Sequence, residues 1–177
     1  ICLSEPKNDI FKELGRVQSQ LQPYRLDEMV ALADREFHFP VNWKIALENA
    51  LDYYHVPRVH SKTVNAHVQA KPTFADLGNH NLQTLHIAPY SWRRKLDAHC
   101  ARGGPYTEQQ MQSLHKYFIF PNLVINVLPY HLTVMQLFPK DATNCMMRYQ
   151  FCLRSRPGLI ERLRGVGTYL ASRWILY

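Results

Sequence analysis

Hydrophobic and polar residues alternate along the second half of the chain with the two-residue period of half-buried β-strands. The pattern is clearest from Cys145 to Leu153, where every second residue is apolar and those between are mixed. Turn residues separate the runs, and residues 139–144 suit a hairpin loop. The predicted strands lie at 81–90, 117–119, 123–128, 132–138 and 145–153.

Apolar residues recur at helical spacing in three other regions. One helix follows Asn8 or Asp9 and ends at Pro23, a second begins at Trp43, and the last begins at Pro157. Residues 31–39 are ambiguous with a strand-like end, residues 61–76 are polar and aperiodic, and a short helix precedes residue 113. The residues expected on buried helix faces are Ile10, Leu14, Val17 and Leu21, then Trp43, Ala46, Leu47, Ala50 and Tyr54, then Leu159, Leu163, Val166, Leu170 and Trp174.

The order of these elements predicts an α+β fold, an antiparallel sheet with helices on one face. A chain of 177 residues suits one domain with a real core. Its 46% hydrophobic and 20% charged residues are typical of globular proteins. The sequence contains no run of about 18 apolar residues, the length that a membrane span needs. It also lacks the interleaved basic and aromatic residues that are typical of nucleic-acid binding.

The charge and the cysteine content bear on the possible partners and on the cellular compartment of the protein. The formal net charge of +7 includes many arginines in the last third, which indicates a solvated face, docking of an acidic redox partner or attraction of an anionic substrate. The four cysteines show no disulfide framework, so we expect reduced thiols and a cytoplasmic protein. Cys145 and Cys152 are seven residues apart and are expected on opposite faces of one strand.

The candidate chemistry is concentrated in residues 42–60. Four polar side chains fall on one face of the second helix, namely Glu48, Asn49, Asp52 and His55. Pro57 disfavours the helical conformation at Val56, so we expect the helix to stop or bend there and His60 to swing back towards His55. The spacing does not fit the H-E-x-x-H of zinc proteases. Two histidines and a carboxylate fit the facial triad of non-haem iron(II) oxygenases, with Asp52 either a ligand or a hydrogen-bond partner.

This stretch resembles the catalytic-domain signature of Rieske non-haem iron oxygenases, the alpha (large) subunits of aromatic ring-hydroxylating dioxygenases. Their pattern of Trp-Lys, then Glu-Asn, then D-x2-H-x4-H is met here by Trp43-Lys44, Glu48-Asn49, Asp52, His55 and His60. A looser likeness continues through residues 120–123. The resemblance implies a helix-grip (START/Bet v 1-like) fold, in which the sheet curls around a long C-terminal helix.

By the same resemblance, His55 and His60 bind a mononuclear Fe(II), Asp52 links the iron to the Rieske cluster of a neighbouring subunit, and Asn49 lies near the iron. The implied activity is hydroxylation of an aromatic or other organic substrate with O2, by dioxygenation or monooxygenation. Electrons would come from NAD(P)H through a ferredoxin or reductase and a Rieske [2Fe–2S] cluster. A homotrimer or an alpha-beta hexamer is the implied assembly.

Two parts of such an enzyme are not found between Ile1 and Tyr177. No C-x-H or C-x-x-H pair is present to bind a Rieske cluster, so a Rieske domain is expected N-terminal to Ile1. No acidic residue after the motif matches the family's third iron ligand, which is expected just beyond Tyr177. We therefore expect residues 1–177 to be part of a catalytic domain that, in isolation, binds iron weakly and is inactive.

Other interpretations of the histidines stay open. Helix-grip domains also bind apolar ligands without a metal, and His55 and His60 would then be core groups satisfied by Asp52 and Glu48. A structural zinc site would need a fourth ligand that the cysteines are not spaced to supply. The remaining histidines that drew attention are expected in structural, exposed or pocket-wall positions, namely His38, His67, His86 and His131.

Overall fold

One antiparallel sheet of seven strands forms the centre of the protein. The computed structural model describes residues 9–62, 65, 68–69, 71–91, 95, 98–99, 105–129, 131–154, 163, 166–167 and 169–170. The strands are β1 (Met29–Phe39), β2 (Thr73–Leu77), β3 (His80–His86), β4 (Ser113–Ile119), β5 (Leu123–Leu128), β6 (His131–Pro139) and β7 (Cys145–Arg154). Strands β2 to β7 follow one another as a meander, and β1 pairs with β7 at the far edge, which gives the order β1-β7-β6-β5-β4-β3-β2.

Five short helices accompany the sheet in the described part of the chain. They are α1 (Ile10–Leu14), α2 (Arg16–Leu21), α3 (Trp43–Leu51), α4 (Val56–Val59) and α5 (Glu108–Met111). Two 3-10 turns, Gln22–Tyr24 and Leu26–Glu28, lead into β1. The described residues 95, 98 and 99, and those between 163 and 170, are also helical. No helix among the described residues has the length and apolar character needed to cross a bilayer.

Side chains pack on both faces of the sheet. On the face that we name the α2 face, the central buried residues are Val17, Leu21, Tyr24, Tyr117, Ile125, Val127 and Leu132. On the opposite α3 face, they are Leu47, Val124, Leu137, Cys145, Met147, Tyr149, Phe151 and Leu153. The predicted alternation of β7 is confirmed, because its five odd-numbered residues are all buried on the α3 face. The architecture is the α+β helix-grip arrangement.

The α3 face also receives the helical segment near the C-terminus. The ring of Tyr169 lies 5.9 Å from that of Phe151, centre to centre. The prediction that this helix buries an apolar stripe is wrong at the positions that the structure describes. Leu163, Val166 and Leu170 are 66%, 39% and 51% exposed. The start of this helix, predicted at Pro157, lies outside the described residues.

The first predicted helix is broken in two. Asp9 caps α1 by accepting from the backbone N–H groups of Phe11 and Lys12, and Gly15 then adopts a φ of +51° that ends it. Val17 is buried as expected, but the prediction for Ile10 is wrong, because its side chain is 67% exposed. Helix α1 buries no residue.

The predicted strands 81–90 and 117–119 have other bounds, because β3 ends at His86 and β4 already begins at Ser113. Two further strands were not clearly predicted. The ambiguous segment 31–39 belongs to an eleven-residue strand, β1. Strand β2 occupies part of the segment predicted to be aperiodic, and it is an edge strand with four exposed residues and only Leu77 buried. Because neither of its faces carries an apolar row, its sequence lacks the alternation that marks the other strands.

Candidate functional site

Helix α3 positions the start of the predicted motif. The Asn42 side chain caps it by accepting from the Lys44 N–H at 3.0 Å, and Leu47 is 7% exposed against the α3 face of the sheet. The helix ends at Leu51, because Asp52 is extended, with φ −64° and ψ 135°. The predicted break near Val56 therefore occurs four residues earlier.

The Asp52 carboxylate explains the early break. It accepts hydrogen bonds from the backbone N–H of Tyr54 at 2.9 Å and of His55 at 3.2 Å. Such local bonds offer the backbone an alternative to the helical ladder. Pro57 is not at a helix end but in the first turn of α4, where the missing N–H removes no helical bond.

The break also changes which tyrosine is buried. Tyr54 was predicted to face the core, but it is 91% exposed. Tyr53 is buried instead and packs with Val56, Val68 and Leu85. The Tyr53 hydroxyl donates to the carbonyl of Gln69 at 3.1 Å, which holds the segment between α3 and α4 against the sheet.

This segment brings the two predicted histidines together. The ring centres of His55 and His60 are 5.2 Å apart, with an angle of 72° between the ring planes. Nδ1 of His55 lies 3.1 Å from Oδ2 of Asp52. Because an ionised carboxylate can only accept, Nδ1 is the nitrogen that donates to Asp52, and in the neutral ring Nε2 carries the lone pair.

Local electrostatics favour the forms that metal binding needs. The Tyr54 N–H, followed by the His55 ring and N–H, holds the pKa of Asp52 below its usual value, so the carboxylate stays charged. Burial, followed by the proximity of His55, lowers the pKa of His60, which favours the neutral imidazole. A neutral imidazole is the form that ligates a metal.

The pair fits part of a metal site. Two imidazoles that share one ion at roughly 2.1 Å have ring centres about 5 Å apart, as observed here. Across the described residues, no group of three or more His, Cys, Asp or Glu side chains converges on one point. Asp76 lies in β2 and Asp141 in the β6–β7 loop, while Asp97 and Glu161 lie outside the described residues. Asn49 is exposed on α3, and its predicted place near the iron stays a prediction.

The sheet beneath the motif adds residues that sequence reasoning missed. Lys116 of β4 donates from Nζ to the carbonyl oxygen of Ala50 at 2.7 Å, close to the C-terminal end of α3. Burial lowers the pKa of Lys116 to about 8, and the charge of Asp52 opposes that shift. Lys116 belongs to a line of polar side chains on the α3 face, together with Gln83, Asn126 and Thr133. Lys116 and Asn126 each stand between apolar neighbours two positions away, which is a signal in the sequence, but only strand register shows that the four residues are adjacent.

Two of the other histidines contact neighbouring strands of the sheet. His86 hydrogen-bonds Ser113 of the neighbouring strand at 3.1 Å, and His131 opens β6 and stacks on Phe151 with 5.1 Å between ring centres. Both positions agree with the sequence analysis. His38 is exposed on β1, and His67 lies outside the described residues.

Comparison with known proteins gives one family and one set of structures. The family model for the ring hydroxylating alpha subunit (catalytic domain) matches residues 26–165. No curated protein sequence matches the chain.

Solved structures show the same fold at low sequence identity. The quaternary ammonium Rieske monooxygenase CntA with an inhibitor has a TM-score of 0.70 and 18% identity, over 95% of this chain and 42% of that one. Naphthalene 1,2-dioxygenase from Rhodococcus sp. bound to indole has a TM-score of 0.69 and 16% identity, over 95% of this chain and 46% of that one. The chain thus spans less than half the length of these structures.

The family match covers the motif helix, both histidines and all seven strands. It includes each of the residues that the signature singles out, from Trp43 to His60. The chain belongs to the family of ring hydroxylating alpha subunits, as part of the catalytic domain.

Proposed function

We propose that this chain forms the iron-binding part of an oxygenase that hydroxylates an aromatic or other organic substrate with O2. The observation that carries the proposal is the approach of His55 and His60, 5.2 Å apart, with Asp52 bonded to Nδ1 of His55. Fe(II), when bound, supplies one-electron and dioxygen chemistry with positions left open for reactants. The third ligand is proposed to be a carboxylate outside the described residues.

Each of the three residues has a distinct task in this proposal. His55 and His60 would hold the metal through neutral imidazole nitrogens. Asp52 orients His55. On the family resemblance we also assign it the transfer of electrons and protons from the Rieske [2Fe–2S] cluster of a neighbouring subunit, and its side chain is 40% exposed. Orientation of a ligating imidazole by a carboxylate raises its basicity and fixes its tautomer.

The remaining partners follow from the family. We propose that electrons reach the Rieske cluster from NAD(P)H through a ferredoxin or reductase, in a cytoplasmic homotrimer or alpha-beta hexamer. We further propose that residues 1–177 alone bind iron weakly and are inactive.

The decisive experiment replaces each histidine in the full-length protein that contains this chain. His55→Ala and His60→Ala should each remove stoichiometric iron and lower turnover by more than the roughly 10–100-fold typical of outer-sphere changes. His38→Ala is the matched control, because His38 is exposed on β1. Iron content by mass spectrometry and substrate-dependent O2 uptake are the two measurements.

Retention of iron and turnover in both variants would overturn the proposal. Wild-type protein that binds an apolar ligand but no iron would instead support the alternative, a helix-grip binding domain without catalysis. In that case both substitutions should alter the melting temperature only.

A further inference from the structure

Four polar residues form a continuous row across the α3 face of the sheet. Strand register pairs Gln83 with Lys116, Lys116 with Asn126, and Asn126 with Thr133. Residues paired in this way project from the same face and have Cβ atoms about 5 Å apart. We name these four residues the polar row.

The flanking positions on the same face are mostly apolar. On one side of the row, register aligns Leu85, Leu114, Leu128 and His131. On the other side it aligns Asn81, Phe118, Val124, Met135 and Tyr149. A polar row between two apolar rows is unfavourable in a core unless its hydrogen-bonding groups are satisfied.

Among the residues that the structure describes, those groups are not all satisfied. Gln83 is 2% exposed, and neither Nε2 nor Oε1 of its side chain has a hydrogen-bond partner among the described residues. Asn126 donates from Nδ2 to Oγ1 of Thr133 at 3.0 Å, but its buried Oδ1 has no partner there either. A buried unpaired amide costs free energy, so its presence points to a ligand that completes it.

Lys116 adds charge to the row. Its ammonium group carries three donors, of which the carbonyl of Ala50 takes one at 2.7 Å. The unpaired Nε2 of Gln83 comes from the residue directly opposite on β3. Together they offer N–H donors and a positive charge to one acceptor group, in a chain whose formal net charge is +7.

The row lies next to the segment that carries the histidines. Leu85, two residues along β3 from Gln83, packs against Tyr53 and Val56, which flank His55. Lys116 contacts Ala50, two residues before Asp52. A molecule held by the polar row therefore has its remaining part beside the motif.

We propose that the polar row binds the polar end of the substrate, and that this substrate is an organic acid whose carboxylate meets Lys116 and Gln83. The apolar body of the substrate contacts the apolar residues on either side of the polar row. A hydroxyl or amino group next to the carboxylate would donate to Oδ1 of Asn126. The inference rests on the proposed function for the identity of the ligand as substrate. It makes Gln83 a specificity-determining residue.

The test compares two probes with the same ring system, 2-naphthoate and 2-methylnaphthalene. Dissociation constants are measured by calorimetry on the full-length protein, with and without iron. Wild-type protein should bind the acid at least about tenfold more tightly, and Gln83→Leu should remove about tenfold of that preference, as expected for a hydrogen bond to a charged group. The Gln83→Leu variant should melt no lower than wild type, because it removes unpaired buried atoms.

Gln136→Leu is the matched control. Gln136 is a half-buried strand glutamine that pairs with Leu123 and Arg148, and it faces the α2 side of the sheet. It should leave the acid preference unchanged. If Gln83→Leu does not fold, Gln83→Met, which keeps an unbranched shape, replaces it in the same measurement.

An unchanged preference in a folded Gln83 variant would overturn the inference, even if iron and turnover depend on His55 and His60. Loss of the preference would support binding of the acid at the polar row, even if the histidine variants keep full turnover and the acid is then not a substrate of an iron site. The two proposals therefore fail independently. Equal binding of both probes to the wild-type protein would also overturn the inference that the polar row binds a carboxylate.

Discussion

The deeply buried histidines on one face of the sheet and the deeply buried glutamine on the other differ in their hydrogen bonding. On the α2 face, the buried histidines have partners: His115 Nδ1 bonds the Tyr24 hydroxyl at 2.9 Å, and His80 Nε2 lies 3.0 Å from the carbonyl oxygen of Glu13. On the α3 face, Gln83 is just as deeply buried, yet its amide atoms have no partner among the described residues. A pairing made within the chain stabilises the fold, whereas an amide left open costs stability and is available to a ligand.

The contrast assigns the two faces different tasks. The α2 face acts as a structural core, in which polar groups connect the N-terminal segment to the strands. The α3 face carries the motif helix, the paired histidines and the polar row, so substitutions there should change binding and turnover more than folding. Three predictions, with effects that decrease in size, test this division.

The largest effect should come from titration of His115 on the α2 face. Burial, followed by the proximity of His86, lowers the pKa of His115 to about 4, against about 6.5 in the unfolded chain. The unfolded state therefore takes up the proton first as the pH falls. The stability that His115 contributes is complete above pH 6.5 and is lost towards pH 4, by about 3 kcal/mol.

Urea unfolding at pH 7 and pH 4 measures this loss. In His115→Gln, which cannot titrate, the difference in unfolding free energy between the two pH values should shrink by about 3 kcal/mol. His38→Gln, on an exposed histidine, should behave as wild type. Equal acid losses in all three proteins would show that His115 is not protected from protonation.

The second effect concerns Asp52 on the α3 face. In Asp52→Asn the side-chain oxygen still accepts from the Tyr54 N–H, but the amide nitrogen cannot accept from Nδ1 of His55. Turnover should fall roughly 10–100-fold, while the melting temperature stays near that of wild type. Steady-state kinetics and calorimetry measure the two quantities.

Asp9→Asn is the control for this change. Asp9 likewise accepts backbone N–H groups through its carboxylate, at the start of α1, and it is exposed. It should alter neither quantity. A large fall in melting temperature for Asp52→Asn, with turnover unchanged, would make Asp52 a structural cap instead.

The smallest effect separates two tyrosines. Tyr24 is 1% exposed, and removal of its hydroxyl takes away the hydrogen-bond partner of the buried Nδ1 of His115. Tyr24→Phe should therefore lower the free energy of unfolding by about 1–2 kcal/mol without a change in ligand binding. Tyr54→Phe, on a side chain that is 91% exposed, should change it by less than about 0.5 kcal/mol. Equal effects in denaturant unfolding would remove the distinction.

Local patterns in the sequence were enough for much of the fold. The alternation in β7 and the apolar runs of β4, β5 and β6 were predicted because a strand that buries a face repeats every two residues. Strand β2 was missed, since an exposed edge strand has no such repeat. The motif residues were also recognisable from the local sequence, because they are near one another along the chain.

The ends of the motif helix depended on tertiary structure. The sequence placed the break at Val56 from the steric effect of Pro57, but the Asp52 side chain ends the helix first and turns Tyr54 outward. The local sequence around Pro57 fits a proline in the first turn of a new helix as well as a proline just beyond the end of the preceding helix.

By itself, the sequence determined the class of fold, the strand periodicity and the motif with His55 and His60. Only the tertiary structure decided that Gln83, Lys116, Asn126 and Thr133 form one row beneath that motif. These residues are separated by up to 50 positions, and their adjacency comes from strand register. Register is set by hydrogen bonds between strands and by burial of whole faces, and neither is a property of any short stretch of sequence.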